Sequence, residues 1–252
     1  MARVAIITGA TGGLGMEFTR VINSYDDIDE IWAVGRNNDK LNSMKEMYDK
    51  VVSVRADFSD NGMEILSRKI EEEKPDIRLL INNAGVGYLG PYENMEPKRV
   101  KEFCNINCTV PAEIIAASLP YMQERAGILN ISSASSFQPN PYLALYSASK
   151  VFVKNLSRAL NVELKSRKII VTAVCPGWVD TDMLPREKDG KKIKYTGMIS
   201  VEKVVEKALK DYKKGKDMST PGFFAKYFRF YSKVVPTRIV MKQWTAVIRK
   251  YL

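Results

Sequence analysis

Short apolar runs alternate with longer segments of helical periodicity along the first 175 residues, and this alternation limits the possible folds more than any other feature. The runs, rich in β-branched residues, cover residues 3–8, 30–35, 51–56, 79–82, 127–132 and 169–175. Strands that are apolar on both faces are typical of parallel sheets, whose crossover connections usually carry helices. The pattern therefore predicts an α/β fold with a doubly wound parallel sheet flanked by helices.

The sequence contains no internal repeat and no Pro/Gly-rich or low-complexity linker that would divide it into separate domains. We predict a single domain, with its main part, or body, over residues 1–217 and a C-terminal helical extension over residues 218–252. The net charge of +10 is uneven, since residues 1–185 carry a net −2 and residues 186–252 carry +12. A near-neutral body with a basic end favours a local surface contact, and no nucleic-acid partner is predicted.

Histidine is absent, which excludes Ser-His-Asp triads, Cys-His dyads and His-ligated zinc. Any acid–base chemistry must therefore use Tyr, Lys or carboxylates. The cysteines, Cys104, Cys108 and Cys175, are odd in number and lack further ligands of suitable type nearby, so neither a disulfide framework nor a metal site is predicted. No signal peptide or membrane span is recognisable, and we expect a cytoplasmic protein.

A glycine-rich turn separates the first predicted strand from the helix that follows it. It reads Thr8-Gly9-Ala10-Thr11-Gly12-Gly13-Leu14-Gly15. Glycines at this position let backbone N–H groups approach a pyrophosphate, which the positive end of the helix dipole also attracts. The turn therefore predicts a dinucleotide site at the carboxyl end of the first strand.

The spacing Thr-Gly-x3-Gly-x-Gly in this turn resembles that of the classical short-chain dehydrogenase/reductase family, and further motifs follow in that family's order. They are Ala56-Asp57-Phe58, Asn82-Asn83-Ala84-Gly85, Ile131-Ser132-Ser133, Tyr146-x3-Lys150 and Cys175-Pro176-Gly177. Their coincidence over roughly residues 3–181 is far more specific than any one motif. The resemblance implies a Rossmann-like fold of about seven strands and NAD(P)(H)-dependent oxidoreductase activity.

Tyr146 and Lys150 lie four residues apart, which on a helix places both on the same face. A nearby ammonium stabilises phenolate, so we expect Lys150 to lower the pKa of Tyr146 toward the neutral range. By resemblance, Tyr146 transfers the proton and Ser133 hydrogen-bonds the carbonyl oxygen of the substrate. The resemblance also implies that Lys150 binds the nicotinamide ribose and that Asn107 holds a water leading from Lys150 to solvent. Ser132 is the alternative to Ser133, but the thirteen-residue separation from Tyr146 favours Ser133.

Arg36 follows the second predicted strand, where an enzyme specific for NAD would carry an acidic residue. A guanidinium binds a 2'-phosphate, so NADP(H) is predicted over NAD(H), although an arginine that only stacks on adenine would suit either cofactor. Gly12 stands where many NADP-dependent members carry a basic residue, which argues in the other direction. The predicted cofactor-binding residues are Gly9, Thr11, Gly13, Leu14, Gly15, Arg36, Asp57, Phe58, Asn83, Ala84, Gly85, Tyr146, Lys150, Pro176, Gly177, Val179 and Thr181.

The substrate pocket is expected between the segments that flank the catalytic residues. Its predicted lining is largely apolar and consists of Tyr88, Leu89, Phe137, Pro139, Pro141, Tyr142, Trp178, Met183 and Leu184. This lining favours a hydrophobic small molecule such as a steroid, a bile acid or a lipid-like carbonyl compound. A segment over residues 183–198 resembles the family's variable lid and carries Arg186, Lys188, Lys191, Lys192 and Lys194.

These observations predict an oxidoreductase that interconverts a secondary alcohol and a ketone. The alternative is a non-catalytic dinucleotide-binding regulator or a membrane-associated scaffold, but such a protein has no need of Ser133, Tyr146 and Lys150 together. An epimerase or dehydratase of the extended branch is disfavoured by the chain length and by the Asn-Asn-Ala-Gly motif.

The end of the predicted sheet departs from the family. The Asp-Gly-Gly that ends the seventh strand in many members is absent, and residues 217–222 are interpreted as a shortened equivalent. A helix is predicted before it, over residues 200–214, with Ser200 as its N-cap and Gly215 after its last turn. Tetramer packing through the seventh strand is therefore not expected, and we predict a homodimer.

Residues 218–252 contain seven basic side chains, eight aromatic ones and no acidic one. Two amphipathic helices are predicted, one on each side of Pro236. On the first, the apolar side chains recur on one side and Lys226, Arg229 and Lys233 on the other. We expect these helices to cover the substrate cleft or to form a dimer contact, with a peripheral membrane contact as an additional role.

Overall fold

Seven parallel strands form the main sheet. A computed structural model describes residues 1–184, 186–188 and 191–251, and the main sheet of these residues is ordered β3-β2-β1-β4-β5-β6-β9. The strands, together with those of a separate hairpin (β7 and β8), are β1 (Arg3–Thr8), β2 (Glu30–Gly35), β3 (Val51–Arg55), β4 (Asp76–Asn82), β5 (Gly127–Ile131), β6 (Ile170–Val174), β7 (Glu187–Lys188), β8 (Lys191–Lys192) and β9 (Met218–Ser219). All pairings within the main sheet are parallel, so the predicted sheet is confirmed.

Helices cover both faces of this sheet. They are α1 (Gly13–Ile22), α2 (Asn38–Met47), α3 (Gly62–Glu73), α4 (Pro97–Cys104), α5 (Val110–Ser118), α6 (Ala144–Glu163), α7 (Val201–Lys213), α8 (Phe223–Val234) and α9 (Thr237–Ile248). Successive side chains of a strand point to opposite faces. Accordingly, Val4 and Ile6 of β1 pack in the core that contains side chains of α3 and α5. Ala5 and Ile7 pack in the core that contains side chains of α1, α2 and α7, so the fold is doubly wound as predicted.

The strand order changes direction at β1, which pairs with β2 on one side and with β4 on the other. In sheets of this kind, a crevice opens outside the carboxyl ends of the strands at this switch point, and ligands bind there. The glycine-rich turn follows β1, and the Asn-Asn-Ala-Gly motif follows β4. The fold therefore brings both motifs to the same crevice.

The shortened seventh strand is confirmed as β9, whose two residues pair in parallel with Ala173 and Val174 of β6. The buried carboxylate of Asp211 in α7 holds this edge of the sheet. It accepts a hydrogen bond from Ser219 Oγ at 2.8 Å and forms ion pairs with Lys207 and Lys216. The sheet thus continues into the segment that was predicted as the extension, and the helical part of that segment begins at Phe223.

The C-terminal extension forms the two predicted helices, α8 and α9, which are separated at Pro236. The expected division of α8 into one apolar and one basic side is only partly correct. Phe224 and Phe228 turn inward and line a cavity, whereas Phe223 and Phe230 are exposed to solvent. None of the described helices is long and apolar enough to cross a bilayer.

The predicted lid contains the small antiparallel hairpin of β7 and β8. Arg186, just before it, forms an ion pair with Asp180 at 2.5 Å. Lys192 and Lys194 are exposed, while the side chains of Lys188 and Lys191 lie outside the described part of the chain.

Candidate active site

The glycine-rich turn leaves the start of α1 accessible to the crevice. Gly9 has a φ of +62°, a conformation that favours glycine. A Cβ on Gly15 would lie 2.3 Å from the carbonyl oxygen of Gly9, so α1 begins this close to the turn only because residue 15 has no side chain. The N-cap of α1 is Gly12, which makes no side-chain hydrogen bond, and the first turn contains no acidic residue. Its N–H groups remain available to an anion, and this cradle fits the pyrophosphate of a dinucleotide.

Thr8 and Asn83 connect the ends of β1 and β4. Asn83 Nδ2 donates to the carbonyl oxygens of Thr8 at 3.1 Å and of Gly9 at 3.0 Å. Thr8 Oγ1 accepts the N–H groups of Asn83 and Ala84, each at 3.0 Å. Asn83 therefore fixes the glycine-rich turn against β4 in addition to lining the crevice.

Two cations, Arg36 and Lys40, lie just after the end of β2. Arg36 directly follows β2 and lines the crevice together with Lys40, Asp57 and Phe58. Sequence reasoning missed Lys40, which lies in the first turn of α2. The signal that could have found it is the N-cap Asn37, whose Oδ1 accepts the N–H of Lys40 at 2.9 Å and so sets the start of that helix next to Arg36.

Ser133, Tyr146 and Lys150 line the same cavity as the glycine-rich turn. Lys150 Nζ lies 5.6 Å from the centroid of the Tyr146 ring and donates to the carbonyl oxygen of Ile131 at 2.9 Å. The hydroxyl of Ser132 donates to the carbonyl oxygen of Lys150 at 2.7 Å, which ties α6 to the end of β5. The hydroxyl of Ser133 accepts the N–H of Ser135 at 3.1 Å and is the one that favours a lower pKa of the Tyr146 phenol.

Burial changes the proton affinity of both groups on α6. It raises the pKa of the Tyr146 phenol, and the hydrogen bond with Ser133 opposes that increase. It also lowers the pKa of Lys150 from 10.5 to about 8. The expectation that the pKa of Tyr146 lies below its usual value is therefore wrong for the protein without cofactor. The cost of burying a phenolate raises this pKa more than any neighbouring group lowers it.

Asn107 lies in a π-helical turn, Asn105–Thr109, between α4 and α5. Its Oδ1 accepts the N–H of Val86 at 2.9 Å, and its Nδ2 donates to the Val86 carbonyl at 2.9 Å and to Ser149 Oγ at 3.3 Å. The side chain is buried and does not line the cavity, unlike the other three predicted catalytic residues. Its amide holds the segment that follows β4 close to α6. A Cβ on Gly85 would lie 3.2 Å from Asn107 Oδ1.

The cavity has a volume of about 820 Å³ and contains every predicted cofactor-binding residue except Gly15. Gly15 does not line the cavity, because this residue is buried beneath the turn. The predicted substrate-pocket residues that line the cavity are Tyr88, Leu89, Trp178, Met183 and Leu184. A second cavity, of about 640 Å³, contains no predicted site residue.

The placement of Phe137, Pro139, Pro141 and Tyr142 in the pocket lining is wrong. A short 3-10 turn, Ala134–Phe137, follows β5 and directs Phe137 back onto the sheet. There it packs against buried Ala173 and Met218 and lies 5.5 Å from Lys154 Nζ. Asn140, which was not predicted, lines the cavity instead.

Aromatic side chains from the C-terminal extension cover the cavity. Phe224 and Phe228 of α8 and Trp244 of α9 line it, and sequence reasoning missed all three as lining residues. Trp244 Nε1 donates to the Pro141 carbonyl at 2.9 Å, and its ring lies 6.2 Å from Trp178 and 6.5 Å from Phe228. The extension thus covers the cleft, which was one of its expected positions.

The site is chemically divided. One part, from the glycine-rich turn to Arg36 and Lys40, offers free N–H groups and cations to phosphates. The other part, which includes the side chains of Leu89 and Trp244, is mostly apolar. The hydroxyls of Ser133 and Tyr146 and the ammonium of Lys150 also line the cavity.

Known proteins are similar to this chain in sequence and in fold. The short chain dehydrogenase family model matches residues 3–192. The chain is 35% identical over 191 residues to very-long-chain 3-oxoacyl-CoA reductase of Anas platyrhynchos, which covers 71% of this chain and 60% of that protein. It is 33% identical over 190 residues to inactive hydroxysteroid dehydrogenase-like protein 1 of Homo sapiens, which covers 72% of this chain and 57% of that protein. The chain thus spans about three fifths of the length of these relatives.

Among solved structures, a short chain dehydrogenase from Burkholderia cenocepacia J2315 in complex with NADP is similar over most of its length. It is 25% identical, has a TM-score of 0.77, and the match covers 92% of this chain and 93% of that one. The match therefore extends beyond the residues matched by the family model and includes at least part of the extension.

Proposed function

The chain belongs to the short-chain dehydrogenase family, and on this basis we propose that it is an NADP(H)-dependent oxidoreductase acting on a hydrophobic carbonyl compound. The reaction interconverts a secondary alcohol and a ketone. The single observation that carries the proposal is that Ser133, Tyr146 and Lys150 line one cavity with both a phosphate cradle and apolar walls.

The glycine-rich turn, Arg36 and Lys40 would hold NADPH, which would supply a hydride to the carbonyl carbon. Tyr146 donates its phenol proton to the carbonyl oxygen, and its raised pKa suits this role because the phenol stays protonated at neutral pH. Ser133, which lines the cavity together with Tyr146, donates to the same oxygen and orients it. Lys150, with a pKa of about 8, remains mostly charged at pH 7 and binds the ribose hydroxyls of the cofactor.

The preference for NADP(H) is supported by the pair Arg36 and Lys40, which line the cavity where β2 ends. A guanidinium and an ammonium together bind a 2'-phosphate by charge-assisted hydrogen bonds. In this arrangement no carboxylate occupies position 36, where it would repel the phosphate and bind the 2'-hydroxyl of NAD.

The substrate is proposed to be a steroid, bile acid or other lipid-like carbonyl compound. Support comes from the apolar and aromatic side chains that line the cavity, among them Leu89, Trp178, Phe224 and Trp244. A relative named very-long-chain 3-oxoacyl-CoA reductase is compatible with a long apolar substrate. A polar group on the substrate would suit Asn140, whose Nδ2 is buried without a hydrogen-bond partner in the described structure.

The test is a screen of hydrophobic ketones and alcohols in which NADPH and NADH absorbance is followed, with Tyr146→Phe as the decisive variant. Loss of the general acid should lower turnover by about 10²–10⁴-fold while NADPH still binds. The matched control is Tyr121→Phe, a tyrosine outside the cavity, which should keep full activity. A Tyr146→Phe enzyme with the wild-type rate would refute the proposed chemistry.

A second candidate function is a non-catalytic dinucleotide-binding protein. It is favoured by one observation, the similarity to a relative whose name describes it as inactive. The same screen separates the two. Tight NADPH binding without turnover of any carbonyl class would support the non-catalytic function.

A further inference from the structure

Four apolar side chains form a continuous stripe on the solvent side of α8, at positions i, i+4, i+7 and i+11, and we call them the α8 stripe. Their exposed fractions are 85% for Phe223, 51% for Tyr227, 66% for Phe230 and 60% for Val234. This spacing keeps side chains on one face of a helix. A row of exposed aromatic residues of this kind on a monomer marks a contact site for another surface.

The α8 stripe is not needed to hold α8 on the protein. The opposite face does this, because Ala225 is buried and Phe224 and Phe228 line the cavity. Phe228 also contacts Trp244 of α9, with ring centroids 6.5 Å apart. The helix is therefore anchored by its inner face and presents the stripe outward in a fixed orientation.

Basic side chains flank the stripe. Lys226 and Lys233 are exposed and follow Phe223 and Phe230 by three residues, so both lie along the same edge of the stripe. Residues 218–252 contain no acidic side chain that would offset this charge. Anionic lipid headgroups attract such lysines, and phenyl and phenol rings insert at the boundary between headgroups and acyl chains.

We propose that the α8 stripe docks this protein on an anionic membrane surface, with α8 lying in the plane of the interface. A helix of 12 residues is about 18 Å long, which suits contact along the surface and is too short to span a bilayer. A second copy of the chain is a poorer occupant. In a symmetric contact through the stripe, the same patch meets itself, and Lys226 and Lys233 of both copies are brought close together.

Vesicle co-sedimentation of the full chain tests the proposal. The wild type should sediment with vesicles of equal parts phosphatidylcholine and phosphatidylserine, and much less with phosphatidylcholine alone. Phe223→Ser/Phe230→Ser should weaken this binding at least about tenfold, since each ring contributes more than that factor when fully removed from water. Lys226→Gln/Lys233→Gln should weaken binding to the anionic vesicles by about tenfold or more and change binding to the neutral ones little.

Val162→Ser is the matched control, because Val162 is 72% exposed but lies on α6, outside the stripe. It should bind like the wild type. NADPH binding and far-UV circular dichroism of each variant establish that it is folded, and neither readout depends on the proposed catalytic activity. Raising the salt from about 0.1 M to about 1 M, which shortens the Debye length from about 10 Å to about 3 Å, should release the wild type from anionic vesicles.

Three results would overturn the docking. The first is a wild type that sediments with neither vesicle. The second is equal sedimentation of the wild type and the Phe223→Ser/Phe230→Ser variant. The third is a wild type that does not bind vesicles and has the mass of a dimer in light scattering, while the Phe223→Ser/Phe230→Ser variant is monomeric. A second copy of the chain would then cover the stripe.

Discussion

Replacing Lys150 by methionine should stabilise the protein without cofactor at neutral pH while abolishing catalysis. Lys150 is buried, and the lowering of its pKa from 10.5 to about 8 reflects the cost of keeping its ammonium away from water. At about 1.4 kcal/mol for each tenfold change in proton affinity, this lowering corresponds to roughly 3 kcal/mol. Methionine fills a similar volume without the charge.

The substitution also has a cost. Lys150 Nζ donates to the Ile131 carbonyl at 2.9 Å, and the loss of this hydrogen bond costs about 1 kcal/mol. The net gain for Lys150→Met at pH 7 is therefore about 2 kcal/mol, or an increase in Tm of about 4–8 °C for a domain of this size.

The pH dependence has a defined sign. Below about pH 8, Lys150 is charged in both the folded and the unfolded protein, so the wild type bears the full penalty. Between about pH 8 and 10.5, the folded protein loses this proton before the unfolded chain does. The stability of the wild type should therefore rise relative to the variant, and the advantage of the variant should disappear by about pH 10.5.

Urea unfolding followed by circular dichroism, at intervals from pH 7 to pH 10, measures this difference for the protein without cofactor. Subtracting the two curves cancels the titration of all other groups. Lys165→Met, at an exposed lysine, is the control and should show a difference near zero throughout. A Lys150→Met variant less stable than the wild type at pH 7, or a difference that stays constant across this range, would refute the reasoning.

Three further predictions follow from the site. Arg36→Glu should raise the KM for NADPH at least about tenfold and lower that for NADH, because the carboxylate repels the 2'-phosphate and accepts a ribose hydroxyl; unchanged steady-state constants for both cofactors would contradict this. Gly15→Ala should destabilise the fold by about 3 kcal/mol or more and weaken NADPH binding, because the added Cβ would lie 2.3 Å from the Gly9 carbonyl oxygen. Gly12→Ala is the control. Its Cβ would lie 3.5 Å from the nearest atom, so it should leave the melting temperature almost unchanged. Trp244→Phe should raise the KM for a hydrophobic substrate more than it lowers kcat, because it removes the hydrogen bond to the Pro141 carbonyl and reduces the aromatic cover of the cavity. Steady-state kinetics measure both constants. A larger fall in kcat than rise in KM would show instead that this ring acts on the chemical step.

Much of the fold could be predicted from local patterns. Each long strand is apolar enough to be buried on both faces, and the helices between strands leave parallel pairing as the consistent arrangement. The two-residue strand β9 is a harder case, because two residues are too few to show a periodicity of their own. Its edge of the sheet is held by the buried carboxylate of Asp211, which binds Ser219, Lys207 and Lys216. The interpretation of residues 217–222 as a shortened strand rested on resemblance alone.

The site was less predictable in two respects. The sequence placed Gly15 in contact with a cofactor, but its missing side chain serves the packing of α1 against the turn. It also suggested that Lys150 would lower the pKa of Tyr146, whereas burial raises that pKa. Spacing along a helix shows that two side chains share a face, but it does not show how far water is excluded from them.

The sequence by itself determined the sheet and the glycine-rich turn, because these depend on periodicity and on spacing within single elements. The residues proposed to carry the chemistry were identified by the resemblance of their motifs to those of a known family. The tertiary structure decided which side chains cover the cavity. Phe228 and Trp244 reach it only because α8 packs against the turn Ala134–Phe137 and Trp244 of α9 bonds to the Pro141 carbonyl. The tertiary structure also divided the aromatic residues of α8 between a buried face and the exposed α8 stripe. The physical reason is that burial is a property of distances between elements remote in the chain, which no local pattern contains.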